Sequence, residues 1–219
     1  MMFEYKGLKI RWHGHDTFSI ESGARIFFDP YKLSKQSEAD LILISHDHFD
    51  HLSLEDLQRI STTKTTIVAA KECVNKITGI AFKEKMGIAP GEEKTVNGIR
   101  IRAVSAYNID KINRDTKKPF HPKEDNKIGF LVNINGIVIY HTGDSDLIPE
   151  MSNLRPDILL IPVSGTYVMT NKEAAKATEI IKPIIAIPMH YGTIVGTERD
   201  ATEFKNLVKS CEVQILTKE

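Results

Sequence analysis

The sequence predicts an α/β (α+β) protein, a four-layer αββα sandwich in which helices cover two mixed β-sheets. Three observations predict it. Asn-Gly pairs at positions 97–98 and 135–136 lie between apolar or alternating runs, a pattern typical of β-hairpins. Strand and helix patterns alternate in both halves of the chain, which indicates parallel strands as well. The apolar run after Asp40, LILIS, has the pattern of a strand buried on both faces.

The first half is predicted to begin with an antiparallel edge and to continue as strand, helix and strand. The LILIS run leads directly to His46, so a group of histidines follows a strand end. Ser53 is the expected N-cap of a helix. The other predicted segments of this half are strands at Leu8–Trp12, Phe18–Ile20, Arg25–Phe28 and Thr66–Ala69 and a short helix at Glu72–Ile77.

The second half is predicted to alternate strands and helices after its hairpins. Thr170, followed three residues later by Glu173, forms the capping box of a helix that runs through Ile181. The other predicted segments are strands at Asp157–Val163, Ile184–Pro188 and Val213–Leu216 and a helix at Asp200–Lys209.

Composition indicates one globular domain spanning residues 1–219. Hydrophobic residues make up 41% and charged residues 26% of the chain, and no stretch approaches the ~20 apolar residues of a membrane-spanning helix. The start, MMFEYKGLKI, lacks the profile of a secretory signal or a transit peptide. We therefore expect a cytoplasmic protein with no membrane partner.

The balance of charges and the cysteine count limit the partners and the metal chemistry. Lys plus Arg and Asp plus Glu number 29 each, so no overall field attracts nucleic acid, which is not an expected partner. Cys73 and Cys211 are too few for a disulfide framework or a CxxC site, so a metal would use histidine and carboxylate. The sequence leaves homo-oligomer formation open.

The segment HDHFDH carries the chemistry that the sequence predicts. His46, His48, Asp50 and His51 offer three imidazoles and one carboxylate within six residues, a donor set that zinc and similar metals favour. His46 and His48 can face one ion, while Asp50 and His51 face a second. The alternative is a solvated, charged loop without a metal.

HDHFDH resembles the HxHxDH motif of the metallo-β-lactamase superfamily. Three further segments resemble motifs of its branch that contains ascorbate-6-phosphate lactonase-like proteins. WHGHDTF at 12–18 resembles the Gly-His motif, YHTGDSD at 140–146 the Gly-Asp-Thr/Ser-Asp segment, and PMHYGT at 188–193 the last ligand motif. The resemblance covers nearly the whole chain, in the same order, and implies a metal-dependent hydrolase with two divalent metal ions.

The resemblance also implies a ligand set. His46 and His48 would hold the first metal, Asp144 would bridge both, and the second metal would be held by Asp50, His51 and His190. The superfamily usually gives the first metal a third histidine in an Ala-aromatic-His setting, whereas this chain has Ala-Tyr-Asn ending at Asn108. We favour His121 as that third ligand because imidazole suits these metals better than an amide, and Asn108 or no third ligand are the alternatives.

Other residues near these motifs have open roles. Asp144 could instead be a turn residue, and His190 could be a histidine satisfied in the core. Asp29 and His141 are expected either to orient metal-binding imidazoles or to be structural. A packed aromatic is the favoured interpretation of Tyr191, and substrate contact is the alternative.

Asp50 and His15 are predicted to be catalytic. The resembling branch keeps a histidine like His15 near the metals, where it could donate to a developing oxyanion or to a leaving group. Capping of a turn is the alternative for His15.

The predicted reaction is hydrolysis of an ester, lactone or phosphoester of a small substrate by a hydroxide that bridges the two metal ions. Zinc is the expected metal, with manganese or iron as alternatives. Lysines in the segment 108–127 could attract an anionic substrate, but nearby acids offset most of their charge. The rival functions are a di-iron redox protein and a non-catalytic metal-binding or regulatory module on the same scaffold.

Overall fold

Two units make up the chain in the computed structural model, which describes residues 2–35 and 37–219. The first unit is Met1–Ala89 together with Leu216–Glu219, and the second is Pro90–Ile215. Among the described residues, each unit contains one seven-stranded mixed β-sheet. Two mixed sheets were expected, whereas the single domain over residues 1–219 stays a prediction.

The sheet of the first unit is antiparallel at one edge and parallel at the other. Its strands, which lie side by side in chain order, are β1 (Phe3–Tyr5), β2 (Leu8–Gly14), β3 (Thr17–Glu21), β4 (Arg25–Phe28), β5 (Leu41–Ile44), β6 (Thr66–Ala70) and β7 (Glu84–Ile88). Pairing is antiparallel from β1 to β4 and parallel from β4 to β7. Helix α1 (Leu54–Ile60) precedes β6, and the short helix α2 (Lys71–Val74) follows it.

Burial in this sheet follows its pairing. In β2, buried Leu8, Ile10 and Trp12 alternate with more exposed residues, whereas every residue of β5 and β6 is buried. The LILIS run is therefore an inner parallel strand, as predicted. Ser53 caps α1 by accepting a hydrogen bond from the Asp56 N–H. The β5–α1 loop, residues 45–53, is thus fixed at both ends by regular structure.

The sheet of the second unit repeats this arrangement. Its strands are β8 (Glu93–Val96), β9 (Ile99–Ser105), β10 (Ile128–Ile134), β11 (Ile137–His141), β12 (Ile158–Pro162), β13 (Ile185–Met189) and β14 (Glu212–Val213), again side by side in chain order. Pairing is antiparallel from β8 to β11 and parallel from β11 to β14. Helix α3 (Asn171–Ile181) joins β12 to β13, and α4 (Glu198–Leu207) joins β13 to β14.

Both predicted Asn-Gly hairpins are present in the second unit. Asn97 and Gly98 connect β8 to β9 with φ values of 50° and 81°, and Asn135 and Gly136 connect β10 to β11 with values of 53° and 85°. Positive φ at both central residues is the requirement of a type I′ turn, which asparagine and glycine tolerate best. The capping box at Thr170 is also confirmed, since Thr170 and Glu173 exchange both of its hydrogen bonds.

Several elements differ from the sequence-based expectation. Strand β1 is an additional strand, joined to β2 by Lys6 and Gly7, and β7 was not expected either. Helix α2 ends at Val74, three residues before the predicted end. The last strand stops at Val213 rather than at Leu216, because the chain then returns to the first unit, where the Glu219 N–H bonds to the Trp12 carbonyl. Across the described ranges, no helix is long and apolar enough to span a membrane.

Candidate metal centre

The β5–α1 loop is anchored by the carboxylate of Asp29, which is 1% exposed. Oδ1 of Asp29 accepts a hydrogen bond from the Ser45 N–H at 2.7 Å, and Oδ2 accepts one from the Ser45 hydroxyl at 2.5 Å. The same Oδ2 lies 2.8 Å from Nδ1 of His51. Because Nδ1 and Nε2 lie on opposite sides of the ring, this contact turns Nε2 of His51 away from Asp29.

The imidazoles of this loop form a close group. The ring centroid of His46 lies 4.6 Å from that of His48 and 3.9 Å from that of His51. Nδ1 of His46 is 2.9 Å from the Ser45 hydroxyl, which gives His46 an orienting partner like that of His51. One ring nitrogen of His46 and one of His48 lie within 4.8 Å of each other. That separation allows both histidines to ligate a single ion.

Two further groups, both from the turn between β2 and β3, lie beside this loop. Nε2 of His15, a residue that is 1% exposed, lies 2.9 Å from Oδ2 of Asp50. The wholly buried carboxylate of Asp16 has its Oδ2 3.8 Å from Nε2 of His51. His15 therefore holds Asp50 in place, and Asp16 adds a carboxylate near Nε2 of His51.

In the second unit, one carboxylate oxygen faces two imidazoles. Oδ2 of Asp144 lies 3.4 Å from Nε2 of His121 and 3.4 Å from Nε2 of His190. All three side chains are buried, with exposed fractions of 1–3%. Asp144 follows the end of β11 and His190 follows the last residue of β13, so neighbouring parts of the sheet deliver them to the same edge.

The Nδ1 atoms of these two imidazoles have oxygen partners. Nδ1 of His190 lies 2.9 Å from the Ser164 hydroxyl. Nδ1 of His121 lies 3.0 Å from Oδ1 of Asn108, which also accepts the backbone N–H of His121 at 2.9 Å. In both cases a hydrogen bond at Nδ1 orients the ring and Nε2 faces Asp144. Metal-binding histidines commonly have such a partner on the nitrogen that does not bind the metal.

Three residues of these groups have a left-handed backbone. His15, Asp29 and His190 have φ values of 51°, 41° and 60°. This conformation is uncommon outside glycine, and it persists where the surrounding structure fixes it, often at functional sites. The uncommon backbone conformation and the oriented side chains therefore occur at the same residues.

Comparison with known proteins gives the family. Residues 9–190, a range that contains every predicted metal ligand, match the sequence profile of the beta-lactamase superfamily domain. The UPF0173 metal-dependent hydrolase of Thermoplasma acidophilum is 34% identical over 227 residues, which cover 98% of this chain and 96% of that protein. The chain belongs to the UPF0173 family of metal-dependent hydrolases.

Solved structures agree with this assignment. A protein of Parabacteroides distasonis matches this UPF0173 chain with a TM-score of 0.83 at 29% identity, covering 100% of this chain and 98% of that one. Igni18, a metallo hydrolase from Ignicoccus hospitalis, matches with a TM-score of 0.76 at 26% identity, covering 95% and 94%. The predicted metallo-β-lactamase-like fold class and the prediction of a metal-dependent hydrolase are both confirmed.

The predicted ligands of this UPF0173 hydrolase fall into one group in each unit. The first unit holds His46, His48, Asp50 and His51, and the second holds His121, Asp144 and His190. Asp29 makes the predicted type of contact with a histidine. Tyr191 is 2% exposed, and burial raises the pKa of its hydroxyl to about 12, as in a packed aromatic. Nδ1 of His141 accepts the Gly143 N–H at 3.2 Å, a bond that braces the turn before Asp144.

Some residues of the UPF0173 site had no assigned role in the sequence analysis. They are Asp16, Ser45 and Ser164, each of which contacts a histidine of the two groups. Ser45 and Ser164 follow the ends of β5 and β12, and Asp16 lies within WHGHDTF. Position at a strand end was therefore a usable signal, but the contact of each with one histidine depends on tertiary packing.

A partly buried network of charges lies behind Asn108 in this hydrolase. Asp146 accepts the Ile109 and Asp110 N–H groups at 2.7 and 3.1 Å and lies 3.5 Å from the Lys111 ammonium. Burial raises the pKa of the Asp146 carboxyl, although these N–H groups and Lys111 act against the rise. Burial acts to lower the pKa of Lys111, but hydrogen bonds to Asp110 and Glu173 and the nearby carboxylates raise it overall. The network fixes the first residues of the segment 108–127.

Proposed function

We propose that this hydrolase binds two divalent metal ions and uses them to hydrolyse an ester, lactone or phosphoester of a small substrate. In this proposal His46, His48 and His121 hold the first ion. The second ion is held by Asp50, His51 and His190. Asp144 bridges the two ions.

The observation that carries the proposal is the pair of 3.4 Å distances at Asp144. This separation is longer than the usual 2.7–3.2 Å of an N–H···O hydrogen bond. Two ligand atoms at about 2.05 Å from a tetrahedral zinc ion are about 3.3 Å apart. The spacing of Asp144 from both imidazoles therefore fits shared metal ligation better than direct hydrogen bonding.

The donor set also fits divalent metals. Imidazole and carboxylate are ligands that zinc, manganese and iron accept, and the described cysteines, buried Cys73 and half-buried Cys211, lie outside both groups. Asp29, Asn108 and Ser164 occupy the Nδ1 side of three histidines and leave Nε2 as the ligating nitrogen. Zinc is the proposed metal because its preferred donors are nitrogen-rich, as these are.

Two bound divalent ions would supply a strongly acidified water as nucleophile and would polarise the oxygen under attack. Side chains of the protein would transfer the protons. In hydrolysis the water oxygen bonds to carbon or phosphorus, the bond to the leaving oxygen breaks, and a proton passes from the water to that oxygen. Asp50 would accept the proton, and His15, 2.9 Å away, would pass a proton to the leaving oxygen.

The experiment that tests the proposal combines metal analysis with a substrate panel. Metal-free protein is reloaded separately with zinc, manganese or iron and assayed on lactones, phosphodiesters and acyl esters. We expect two ions per wild-type chain and hydrolysis of at least one class. His48→Ala and Asp144→Ala should each lower the rate by more than roughly 100-fold, because loss of a ligand should exceed the 10–100-fold effect of losing a supporting partner.

Asp115→Ala is the matched control, because Asp115 is exposed and lies in the same unit as Asp144. It should keep both ions and full activity. Hydrolysis that survives both His48→Ala and Asp144→Ala would reject the proposal. Oxygen consumption by the iron-loaded protein without hydrolysis of any substrate would instead establish the di-iron redox alternative.

A further inference from the structure

Asn108 stands where a ligating histidine was expected, yet its amide is fully engaged with protein groups. Oδ1 accepts the backbone N–H of His121 and contacts Nδ1 of the same residue. Nδ2 donates to the Tyr167 carbonyl at 2.7 Å and to Oδ1 of Asp146 at 3.3 Å. Asn108 is 4% exposed, so these contacts are shielded from water.

These contacts fix which atom of the amide is oxygen. A backbone carbonyl can only accept, so the atom facing Tyr167 must be the NH₂ group. A backbone N–H can only donate, so the atom facing the His121 N–H must be the oxygen. The amide orientation of Asn108 therefore follows from its neighbours.

The orientation of the amide determines the tautomer of His121. An amide oxygen cannot donate, so Nδ1 of His121 must carry the proton that makes the 3.0 Å hydrogen bond. In the neutral ring this leaves a lone pair on Nε2, which faces the carboxylate oxygen of Asp144 at 3.4 Å. A lone pair and a carboxylate repel each other unless a cation lies between them.

We propose that Asn108 is a positioning residue that holds His121 in the Nδ1–H tautomer and so presents the Nε2 lone pair to the first metal ion. The buried Asp146 and the Tyr167 carbonyl hold the amide in turn, and Lys111 holds Asp146. This inference rests on the proposed function, in which His121 is a ligand. Asn108 then orients the ligating histidine from thirteen residues away in the chain.

The test compares Asn108→Ala with Asn108→Asp. Alanine removes the acceptor of Nδ1, whereas aspartate keeps it but loses the donor to Tyr167 and adds a charge beside Asp146. Positioning predicts that Asn108→Ala weakens binding of the first zinc ion by roughly 10–100-fold. Asn108→Asp should bind zinc within roughly 3-fold of wild type although its Tm falls, because an acceptor still faces Nδ1. Zinc affinity is measured by competition with a chelator.

A second readout needs no metal. In metal-free protein, ¹⁵N NMR of the His121 ring should show the proton on Nδ1 in the wild type and in Asn108→Asp, and a tautomer mixture in Asn108→Ala. Asn206→Ala, an exposed amide on α4, is the control and should match wild type in both measurements. If Asn108→Ala does not fold, Asn108→Asp still tests the proposal. A purely structural role of Asn108 predicts that Asn108→Asp binds zinc more weakly than wild type, whereas a positioning role predicts nearly unchanged binding.

The outcomes separate this inference from the function on which it rests. If His121→Ala loses one zinc ion while Asn108→Ala binds like wild type, the positioning role is wrong and the metal site stands. If His121→Ala keeps both ions, His121 is not a ligand and both proposals fail. Equal loss of zinc affinity in Asn108→Ala and Asn108→Asp would also overturn the positioning role.

Discussion

Asp29→Asn should separate metal binding from folding stability. The side-chain oxygen of asparagine can still accept the Ser45 N–H, but an NH₂ group replaces the oxygen that faces Nδ1 of His51. Two donors cannot face each other, so His51 must move its proton from Nδ1 to Nε2. Nε2 then loses the lone pair with which His51 would bind the second ion, and we expect zinc affinity there to fall by roughly 10–100-fold.

The expected loss of stability is small by comparison. A charge-assisted hydrogen bond contributes about 1.5–3 kcal/mol and a neutral one about 1 kcal/mol, so the metal-free variant should lose about 0.5–2 kcal/mol. Asp29→Ala should lose more, because the buried Ser45 N–H and the Nδ1–H of His51 both lose the carboxylate as their acceptor, whereas the Ser45 hydroxyl, which loses it too, can rotate. At about 1–3 kcal/mol for each donor, that loss is about 2–6 kcal/mol.

Urea unfolding of the metal-free variants and zinc titration against a chelator measure the two effects. Asp40→Asn is the matched control in the same unit, because the Asp40 carboxylate accepts an exposed backbone N–H, that of Arg25, at 2.7 Å. It should bind both zinc ions normally. Normal zinc binding by Asp29→Asn would refute the tautomer argument, as would a loss of affinity that Asp40→Asn shares.

Two further predictions concern stability. Burial lowers the pKa of His13 from 6.5 to about 4, so the unfolded chain binds a proton more readily than the folded one. Stability that is present above pH 6.5 should therefore be lost as the pH falls toward 4, by up to about 3 kcal/mol, which is 2.5 pKa units at 1.36 kcal/mol each. His13→Gln should flatten urea-unfolding stability in this range, and an unchanged slope would contradict it. Gly129→Ala should lose about 1–3 kcal/mol or more, because its Cβ would lie 2.5 Å from the Thr142 carbonyl oxygen. Gly87→Ala should change stability by less than about 1 kcal/mol, because its nearest neighbours would be side-chain carbons of Val74 and Lys71 at 3.1 and 3.3 Å, and equal losses would refute the clash.

Local signals allowed much of the fold to be predicted. The Asn-Gly turns and the capping box at Thr170 depend on a few adjacent residues, so the sequence indicates them directly. The Lys6-Gly7 turn also has positive φ at both central residues, 47° and 85°, but lysine is not typical of such turns and does not predict one. Strand β7, EKMGI, has too little apolar alternation to be recognised and is held by parallel pairing with β6.

In the candidate site too, contacts between residues close in sequence could be predicted, whereas contacts between distant residues could not. HDHFDH places four donors within six residues, so spacing alone predicts that they act together. His121 and Asn108 are thirteen residues apart, and their contact depends on the fold of the intervening segment, where the Asn108 N–H bonds to the His121 carbonyl and Phe120 bonds to Lys111. The sequence could favour His121 as the ligand on chemical grounds, but it could not show that Asn108 lies directly behind it.

The two units orient their histidines by one physical principle. Nδ1 of His51 faces a carboxylate, that of His121 an amide oxygen, and that of His190 a hydroxyl. A carboxylate and an amide oxygen can only accept, so they impose one tautomer. The Ser164 hydroxyl donates its one proton to the Thr166 carbonyl at 3.4 Å, so it too is left to accept from Nδ1. With the proton on Nδ1, His51 and His121 would offer Nε2 to the proposed metal ions. His190 follows the same rule, because its Nδ1 faces the Ser164 hydroxyl and its Nε2 faces Asp144.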